Sequence, residues 1–276
     1  MIEIIKYPDQ SSYVKEEKFL PNITFRINNY EDLWHLNQYV DVCNHNGYTP
    51  TITIPCLLDA QADRRFNSNE SSGLKLVCKF LNSMKANFKI FHPHNFEVVS
   101  ALIDKVEIID NSEFILEVFT KLNSEEQFKK GGLDKNLVIL LPDGGAYKWG
   151  VKLMDKLGFQ GDVLAAAKNR KFVDGKSVLT QQLPDYDFKG KDVLLIDDLL
   201  IYGNSAIGLA KMLKEKNANK IYGAFSHLTI QNFPDNSLFN IFNHIYTTNS
   251  KYENYFIPQS PTGGVQPNNL TIFKLF

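Results

Sequence analysis

The chain has 276 residues, of which 43% are hydrophobic and 22% charged, and its formal net charge is −1 at pH 7. This composition is typical of a globular protein with one large or two medium domains. The scattered Lys and Arg residues form no basic stripe or face, so we expect small-molecule ligands and neither a nucleic-acid nor a membrane partner. The three cysteines have no metal-ligand spacing, and the N-terminus lacks the apolar core of a signal peptide, which favours the cytoplasm.

Strands and helices alternate along the first half of the chain. Residues 1–50 show only short strand patterns over 2–7 and 23–27 and a helical pattern over 31–44. Further elements are predicted as strands over 49–58, 87–93 and 105–110, and as helices over 73–84, 95–103 and 112–122. Residues 125–136 are polar and contain glycine, which predicts a linker.

The same alternation returns in the second half. It predicts strand, turn and helix over 137–158, a strand over 162–168, strand, loop and helix over 192–215, and a strand over 219–230. Two successive α/β units, each with a mostly parallel sheet flanked by helices, are the simplest account of this order. We therefore expect an N-terminal domain over residues 1–130 and a C-terminal domain over residues 131–276.

Two adjacent carboxylates, Asp197 and Asp198, follow the apolar run 193–196. Such a run is typical of a buried parallel strand, which would place both carboxylates at its C-terminal edge, where open α/β sheets bind ligands. The pair suits sugar hydroxyls or a Mg²⁺-bound phosphate, and a solvated loop is the alternative. Gly203, Asn204 and Ser205 then lead into an amphipathic helix whose N-terminus favours an anion, although they also make a simple helix N-cap.

Two other segments place polar residues after apolar strands. Asp143 lies in Pro-Asp-Gly-Gly before a helix, a sequence that is equally typical of a turn. Lys168 and Arg170 lie at the end of the strand predicted at 162–168, where a solvated loop is the alternative to cations that neutralise the charge of a phosphoryl-transfer transition state.

His92 and His94 lie at the end of a third strand and would lie on the same side of an extended chain. A structural histidine is the alternative to a role of His94 with magnesium or a triphosphate. The sequence has no Walker-type element, no Rossmann glycine fingerprint and no Ser or Cys nucleophile motif. It therefore lacks the usual signatures of P-loop proteins, of Rossmann dinucleotide-binding proteins and of enzymes with a Ser or Cys nucleophile.

Taken together, these motifs resemble the ribose-phosphate pyrophosphokinases. Residues 193–227 resemble the ribose-phosphate-binding loop that this family shares with type I phosphoribosyltransferases. The kinase is favoured by the order of four further matches, at 52–65, 91–95, 141–150 and 165–171. The resemblance covers roughly residues 50–275. It implies two phosphoribosyltransferase-like domains with Mg²⁺-ATP between them, and we also expect a homo-oligomer.

The resemblance implies a diphosphoryl transfer, in which the anomeric hydroxyl of ribose 5-phosphate attacks the β-phosphorus of ATP and AMP is released. By this match, His94 and Asp143 serve the metal and the triphosphate. Lys168 and Arg170 stabilise the transition state, with His94 as a third catalytic candidate.

The remaining matched residues bind the two substrates. Asp197 and Asp198 are expected to hold the ribose hydroxyls and the metal, and the segment 203–205 to surround the 5-phosphate. ATP is expected at His94 and at Asp63, Arg64 and Arg65.

The sequence also departs from the family pattern. Where the family loop usually has Asp-Thr-Gly-Gly-Thr, this chain has Ile-Tyr-Gly-Asn-Ser at 201–205, and Gln61-Ala62 replaces the usual Arg-Gln. The altered loop loses a carboxylate, a hydroxyl donor and a glycine. It would suit a ribose whose 5-phosphate is substituted, such as ADP-ribose, and Tyr202 could offer its ring to an added base.

Several functions therefore remain open. The acceptor is either ribose 5-phosphate, which would connect the protein with nucleotide biosynthesis, or ADP-ribose, which would connect it with NAD metabolism. A type I phosphoribosyltransferase and a catalytically inactive regulatory homologue are the alternatives to the kinase.

Overall fold

The computed structural model describes residues 2–16, 20–65, 67–129, 132–173, 176–260, 263–265 and 267–276; the side chains of residues 127, 169–173, 176–179, 257–260 and 263–265 lie outside this description. The chain divides into two compact units, residues 1–110 with Phe276 and residues 111–275. In the part of the chain just given, no helix has the length and apolar character needed to cross a lipid bilayer.

The first unit is built on a parallel sheet. Its elements in chain order are β1 (Glu3–Lys6), β2 (Ser12–Lys15), β3 (Asn22–Thr24), α1 (Tyr30–His45), β4 (Thr51–Ile54), α2 (Gly73–Asn82), β5 (Asn87–Phe91), α3 (Phe96–Leu102) and β6 (Val106–Ile109). The sheet order is β3-β4-β5-β6, with every pair parallel, and β1 and β2 form a separate antiparallel hairpin.

Helix α1 begins where a capping box fixes its N-terminus. The side chain of Asn29 accepts the backbone N–H of Asp32 at 2.9 Å, and the Asp32 carboxylate accepts the N–H of Asn29 at 3.2 Å. From there Leu36, Tyr39 and Cys43 recur at helical spacing and are buried against the sheet residues Ile52, Ile54 and Ile90 in one core.

The second unit contains the larger sheet. Its elements begin with α4 (Ser112–Asn123), α5 (Glu126–Lys129), α6 (Leu133–Asn136), β7 (Leu137–Leu141), α7 (Gly144–Lys156), β8 (Val163–Ala165), β9 (Ala167–Val173) and β10 (Lys176–Gln182). They continue with β11 (Asp192–Leu200), α8 (Asn204–Glu215), β12 (Ile221–Leu228), α9 (Ser237–Ile241), β13 (His244–Thr248), β14 (Ile257–Ser260), β15 (Gly263–Val265) and β16 (Leu270–Phe273).

Six of these strands form one parallel sheet, in the order β16-β13-β12-β11-β7-β8. One face packs on α8 through a core that includes Leu209 and Leu213, and the other packs on α4 and α7 through Phe114, Val118 and Leu153. Burial on both faces explains the continuous apolar sequence of β7 and of the first part of β11. The strands β9 and β10, and β14 and β15, form separate antiparallel pairs.

The predicted α/β class is confirmed, because both units have a parallel sheet flanked by helices. Three details differ from the sequence prediction. The segment expected as a linker contains the short helices α5 and α6, the strand expected over 162–168 is interrupted at Ala166 between β8 and β9, and the strand of the two carboxylates runs on to Leu200. The units divide between 110 and 111, since α4 packs with the second sheet. The domain boundary at 130/131 stays a prediction.

Candidate functional site

The order of the large sheet reverses direction between β7 and β11. Through α7, β7 leads to β8 on one side, whereas β11 leads through α8 to β12 and then to β13 and β16 on the other. In open α/β sheets, such a switch point leaves a crevice at the carboxyl ends of the two strands, and ligands bind there. Asp143 directly follows β7, and Asp197 and Asp198 lie on β11, so the topology brings all three carboxylates to this crevice.

The sequence had suggested that the two adjacent carboxylates lie at the end of their strand. In the structure they lie inside β11, which continues to Leu200. Pairing of β11 with β7 stops at Leu195, which lies opposite Leu140, whereas pairing with β12 continues to Leu200. Asp197 and Asp198 therefore lie beyond the paired part of β7 but remain on a hydrogen-bonded strand. This position combines a fixed backbone with access to the crevice.

The carboxylates repel one another. Burial raises the pKa of Asp197 well above its usual range, the negative charge of Asp198 raises it further, and Asp143 adds to the effect. The backbone N–H of Asp198 donates to Asp197 Oδ1 at 2.9 Å and partly offsets this rise. Asp198 is only 8% exposed. A ligand that brings hydroxyl donors or positive charge would relieve this repulsion, so the cluster is suited to sugar hydroxyls or a divalent cation.

Asp143 also fixes the start of α7. Its Oδ1 accepts the backbone N–H of Ala146 at 3.0 Å, and the two exposed glycines Gly144 and Gly145 separate the two residues. The Pro-Asp-Gly-Gly segment is therefore a helix N-cap, as its turn-like sequence indicated, and the same cap holds the carboxylate at the switch point.

The loop after β11 ends at a left-handed glycine. Gly203 has φ +78° and is the N-cap residue of α8, a conformation that other residues adopt only with strain. The first turn of α8 contains no acidic side chain, so no residue of that turn offsets the positive end of the helix dipole. Asn204 is exposed, Ser205 is half-buried, and Tyr202 is 65% exposed. This geometry suits a phosphate at the helix N-terminus.

The two candidate cations lie on the β9–β10 hairpin. Lys168 is exposed and pairs with Gln181, and Arg170 pairs with Leu179 through the backbone. The side chain of Arg170 lies outside the described part of the structure. The hairpin places the two residues two positions apart on one strand and leaves their proposed role untested.

In the first unit, the loops after β4 and β5 meet through a hydrogen bond. Asn95 Nδ2 donates to Asp63 Oδ2 at 3.2 Å, and the other oxygen of Asp63 lies 3.4 Å from Arg64 Nε. Arg64 and Arg65 are exposed. Asn95 was not singled out from the sequence, although an Asn before a helical pattern is an N-cap signal, and its Oδ1 does accept the N–H of Val98 at the start of α3.

His92 and His94 do not lie on the same side of the chain. His92 is fully buried with φ +39°, and its ring lies 5.2 Å from that of Phe96, whereas His94 is exposed. The turn at His92 breaks the extended backbone on which the expectation depended. His94 thus stays the candidate of this pair, in a loop that also contains Asn95.

Comparison of the whole sequence with known proteins finds the same family that the motifs resemble. The chain is 26% identical to the ribose-phosphate pyrophosphokinase of Sulfolobus acidocaldarius over 243 residues, 87% of this chain and 75% of that protein. It is 28% identical to the enzyme of the same name from Sulfurisphaera tokodaii over 218 residues, 77% of this chain and 67% of that protein. This chain thus resembles the ribose-phosphate pyrophosphokinases over most of its length. No protein-family profile matches it.

A solved structure shows a similar fold. The crystal structure of phosphoribosylpyrophosphate synthetase from Mycobacterium smegmatis aligns with 99% of this chain and 86% of its own, with a TM-score of 0.72 at 16% identity. The two phosphoribosyltransferase-like domains predicted from the sequence are thereby confirmed as a fold.

The acidic residues at the switch point fit a magnesium ion. Among the described residues, no group of three or more His, Cys, Asp or Glu side chains is arranged as a complete metal site. Mg²⁺ usually binds through one or two carboxylates and completes its shell with water and substrate phosphates. Asp143, Asp197 and Asp198 come to one crevice, and the charges of Asp198 and Asp143 help to raise the pKa of Asp197, which fits such a partial site.

Proposed function

We propose that the protein transfers a diphosphoryl group from Mg²⁺-ATP to the C1 hydroxyl of a ribosyl phosphate and releases AMP. The observation that carries this proposal is the carboxylate cluster at the switch point of the second sheet, followed directly by a glycine-capped helix start. Carboxylates to hold sugar hydroxyls and a helix N-terminus to hold a phosphate are the two features that a ribosyl phosphate requires.

The residues have the following proposed roles in this reaction. Asp197 and Asp198 orient the ribose hydroxyls, and segment 203–205 binds the 5-phosphate. The C1 oxygen forms a bond to the β-phosphorus of ATP, the bond from that phosphorus to the α-phosphate oxygen breaks, and the hydroxyl proton is released. Lys168 and Arg170 neutralise the charge that develops on the transferred group.

The nucleotide and the metal have the following proposed ligands. Asp63, Arg64 and Arg65 bind ATP, and His94 serves ATP and, with Asp143, the metal. Bound Mg²⁺ would neutralise charge on the phosphate oxygens. We further propose that the protein acts as a homo-oligomer in the cytoplasm.

We propose ADP-ribose as the acceptor, with ribose 5-phosphate as the second candidate. Ile201, Tyr202 and Asn204 replace the polar and small residues of the family loop, and all three are exposed at the start of α8. A phosphate that is already esterified carries less charge than a terminal one and needs fewer donors. The product with ADP-ribose is an ADP-ribose 1-diphosphate, which would belong to NAD metabolism; the product with ribose 5-phosphate would serve nucleotide biosynthesis.

The first experiment identifies the reaction and its acceptor. The protein is incubated with Mg²⁺-ATP and either acceptor, and AMP release and product mass are followed. We expect AMP and a product heavier than the acceptor by a diphosphoryl group. Pyrophosphate release from phosphoribosyl pyrophosphate and a purine base, without ATP, would instead indicate a phosphoribosyltransferase. Turnover in neither assay would indicate an inactive regulatory homologue.

The second experiment restores the family loop. In the variant Ile201→Asp, Tyr202→Thr, Asn204→Gly, the ratio of kcat/KM should shift towards ribose 5-phosphate by roughly 10-fold or more, because one regained charge-assisted hydrogen bond is worth about 1.5–3 kcal/mol. Val151→Asp on α7 is the control for an added carboxylate, since Val151 is 39% exposed and Ile201 37%. Strong preference of the unmodified protein for ribose 5-phosphate, lost in the triple variant, would refute ADP-ribose.

A further inference from the structure

A pocket of about 150 Å³ lies beside the loop that follows β11. One side is formed by Tyr202 and Asn204 of that loop and of the start of α8, and the other by the segment 233–238 that leads into α9. None of the residues of segment 233–238 belongs to a motif of the ribose-phosphate pyrophosphokinases described above. The pocket therefore adds a surface to the proposed ribosyl-phosphate site.

The second side of the pocket is held in place by the core. Phe233 is 4% exposed, its ring lies 5.0 Å from that of Phe239 at 85°, and its backbone N–H donates to the carbonyl of Phe256 at 2.9 Å. A Cβ atom on Gly203 would lie 3.0 Å from Leu238 Cδ1, so the capping glycine is in contact with the start of α9. The pocket is thus adjacent to the helix N-terminus that we propose for the 5-phosphate.

The size and charge of the pocket restrict what it can bind. A cavity of about 150 Å³ in another protein holds a benzene ring, so the volume suits a single ring. Among the described residues that line the pocket, Asp235 is the charged one, and none is Lys or Arg. The Ser237 side chain donates a hydrogen bond to this carboxylate, and the Ser237 backbone N–H donates another, with 2.7 Å between the Ser237 nitrogen and Asp235 Oδ1. Both hydrogen bonds lower the pKa of Asp235. An ionised carboxylate without a neighbouring cation disfavours a phosphate and favours hydroxyl or amino donors.

We infer that this pocket binds a neutral ring, a sugar or a base, that is attached through the 5-phosphate of the acceptor. The inference rests on the proposed function and extends it from the phosphate loop to a second subsite. It assigns Asp235 as the acceptor of hydroxyl or amino hydrogen bonds from that ring and Tyr202 as the aromatic face beside it. Acceptors with a terminal 5-phosphate do not reach the pocket.

The test uses a substitution that fills the pocket with a large side chain, at a residue outside the proposed catalytic site. Ser237 is exposed at the first position of α9. Ser237→Trp places an indole in the pocket, and Ser237→Ala is the matched control, because both variants lose the hydroxyl but only one fills the space. We expect Ser237→Trp to lower kcat/KM for ADP-ribose by at least about 10-fold, mainly through KM, and to leave kcat/KM for ribose 5-phosphate within about 2-fold. Ser237→Ala should discriminate little between the acceptors.

Other outcomes would overturn the inference. An unchanged KM for ADP-ribose in Ser237→Trp, or an equal loss with both acceptors, means that the pocket does not bind the substituent. If Ser237→Trp fails to fold by circular dichroism, Pro234→Trp with Pro234→Ala fills the same pocket from its exposed loop. A wild-type protein that uses ribose 5-phosphate but neither uses nor binds ADP-ribose in calorimetry refutes the subsite and leaves the diphosphotransferase proposal standing. Without turnover of either acceptor the proposed function fails, and calorimetry with the same variants still decides the subsite.

Discussion

Gly203→Ala tests whether the start of α8 is as constrained as its geometry indicates. The residue has φ +78°, and a left-handed backbone costs a residue with a Cβ about 1–2 kcal/mol. The new methyl group would also lie 3.0 Å from Leu238 Cδ1, inside the usual 3.5–4.0 Å contact of two carbon atoms. Leu238 is 2% exposed and has little room to move, so we add about 1–2 kcal/mol for overpacking. The variant should lose about 2–4 kcal/mol of unfolding free energy.

Gly190→Ala is the matched control in the same unit. Gly190 also has a positive φ, +71°, but a Cβ atom there would meet nothing within 4 Å, so only the backbone cost of about 1–2 kcal/mol applies. The assay is urea unfolding followed by circular dichroism, in which the midpoint of Gly203→Ala should lie below that of Gly190→Ala. Equal midpoints would show that Leu238 does not constrain the loop and would weaken the argument for a fixed pocket wall.

Two further predictions concern the charged residues of the site. Asp197→Asn should abolish most turnover yet raise Tm at pH 7, because it removes a buried carboxylate whose pKa is raised and which Asp143 and Asp198 repel. In the wild type, the folded protein binds the proton of the Asp197 carboxyl group more tightly than the unfolded chain does. The stability of the wild type should therefore fall as pH rises from the usual carboxyl pKa to the raised one. Thermal melts at several pH values should show this decline in the wild type but not in the variant. Lys168→Ala should lower kcat by on the order of 10²-fold or more with Tm unchanged, since the side chain is exposed and its proposed charge acts in the transition state, whereas unchanged kcat would return Lys168 to an ordinary surface role.

The alternation of apolar runs and helical spacing was sufficient to predict the central strands and most helices. Segments with strong period, such as α2, α4 and β12, end within two residues of their predicted bounds. The strands β13 and β16 were not predicted. Their burial depends on neighbours far along the chain, since β13 pairs with β12 and β16 pairs with β13. Non-local pairing of this kind leaves little trace in a local sequence pattern.

The site residues that follow apolar strands could be predicted from the sequence. The site residues that come together only through contacts between distant loops could not. The sequence placed Asp143 and the two adjacent carboxylates after apolar strands, but only the sheet order shows that β7 and β11 are neighbours at a switch point. Gly203, which the sequence placed before a helix, has the left-handed backbone that glycine adopts readily. The contact of Asn95 with Asp63 and the pocket beside Tyr202 depend on loops that meet in space, which no spacing in the sequence reveals.

The extension of β11 beyond β7 separates the two carboxylates, which match the family pattern, from the following loop, which departs from it. The two carboxylates are held by the ladder to β12, whereas the residues that differ from the family pattern, at 201, 202 and 204, follow that ladder and are not among its paired residues. Substitutions in the loop can therefore accumulate without moving the acidic cluster. A protein with this division can change the molecule that it accepts while it retains its chemistry, so acceptor preference should diverge faster among such homologues than the reaction itself.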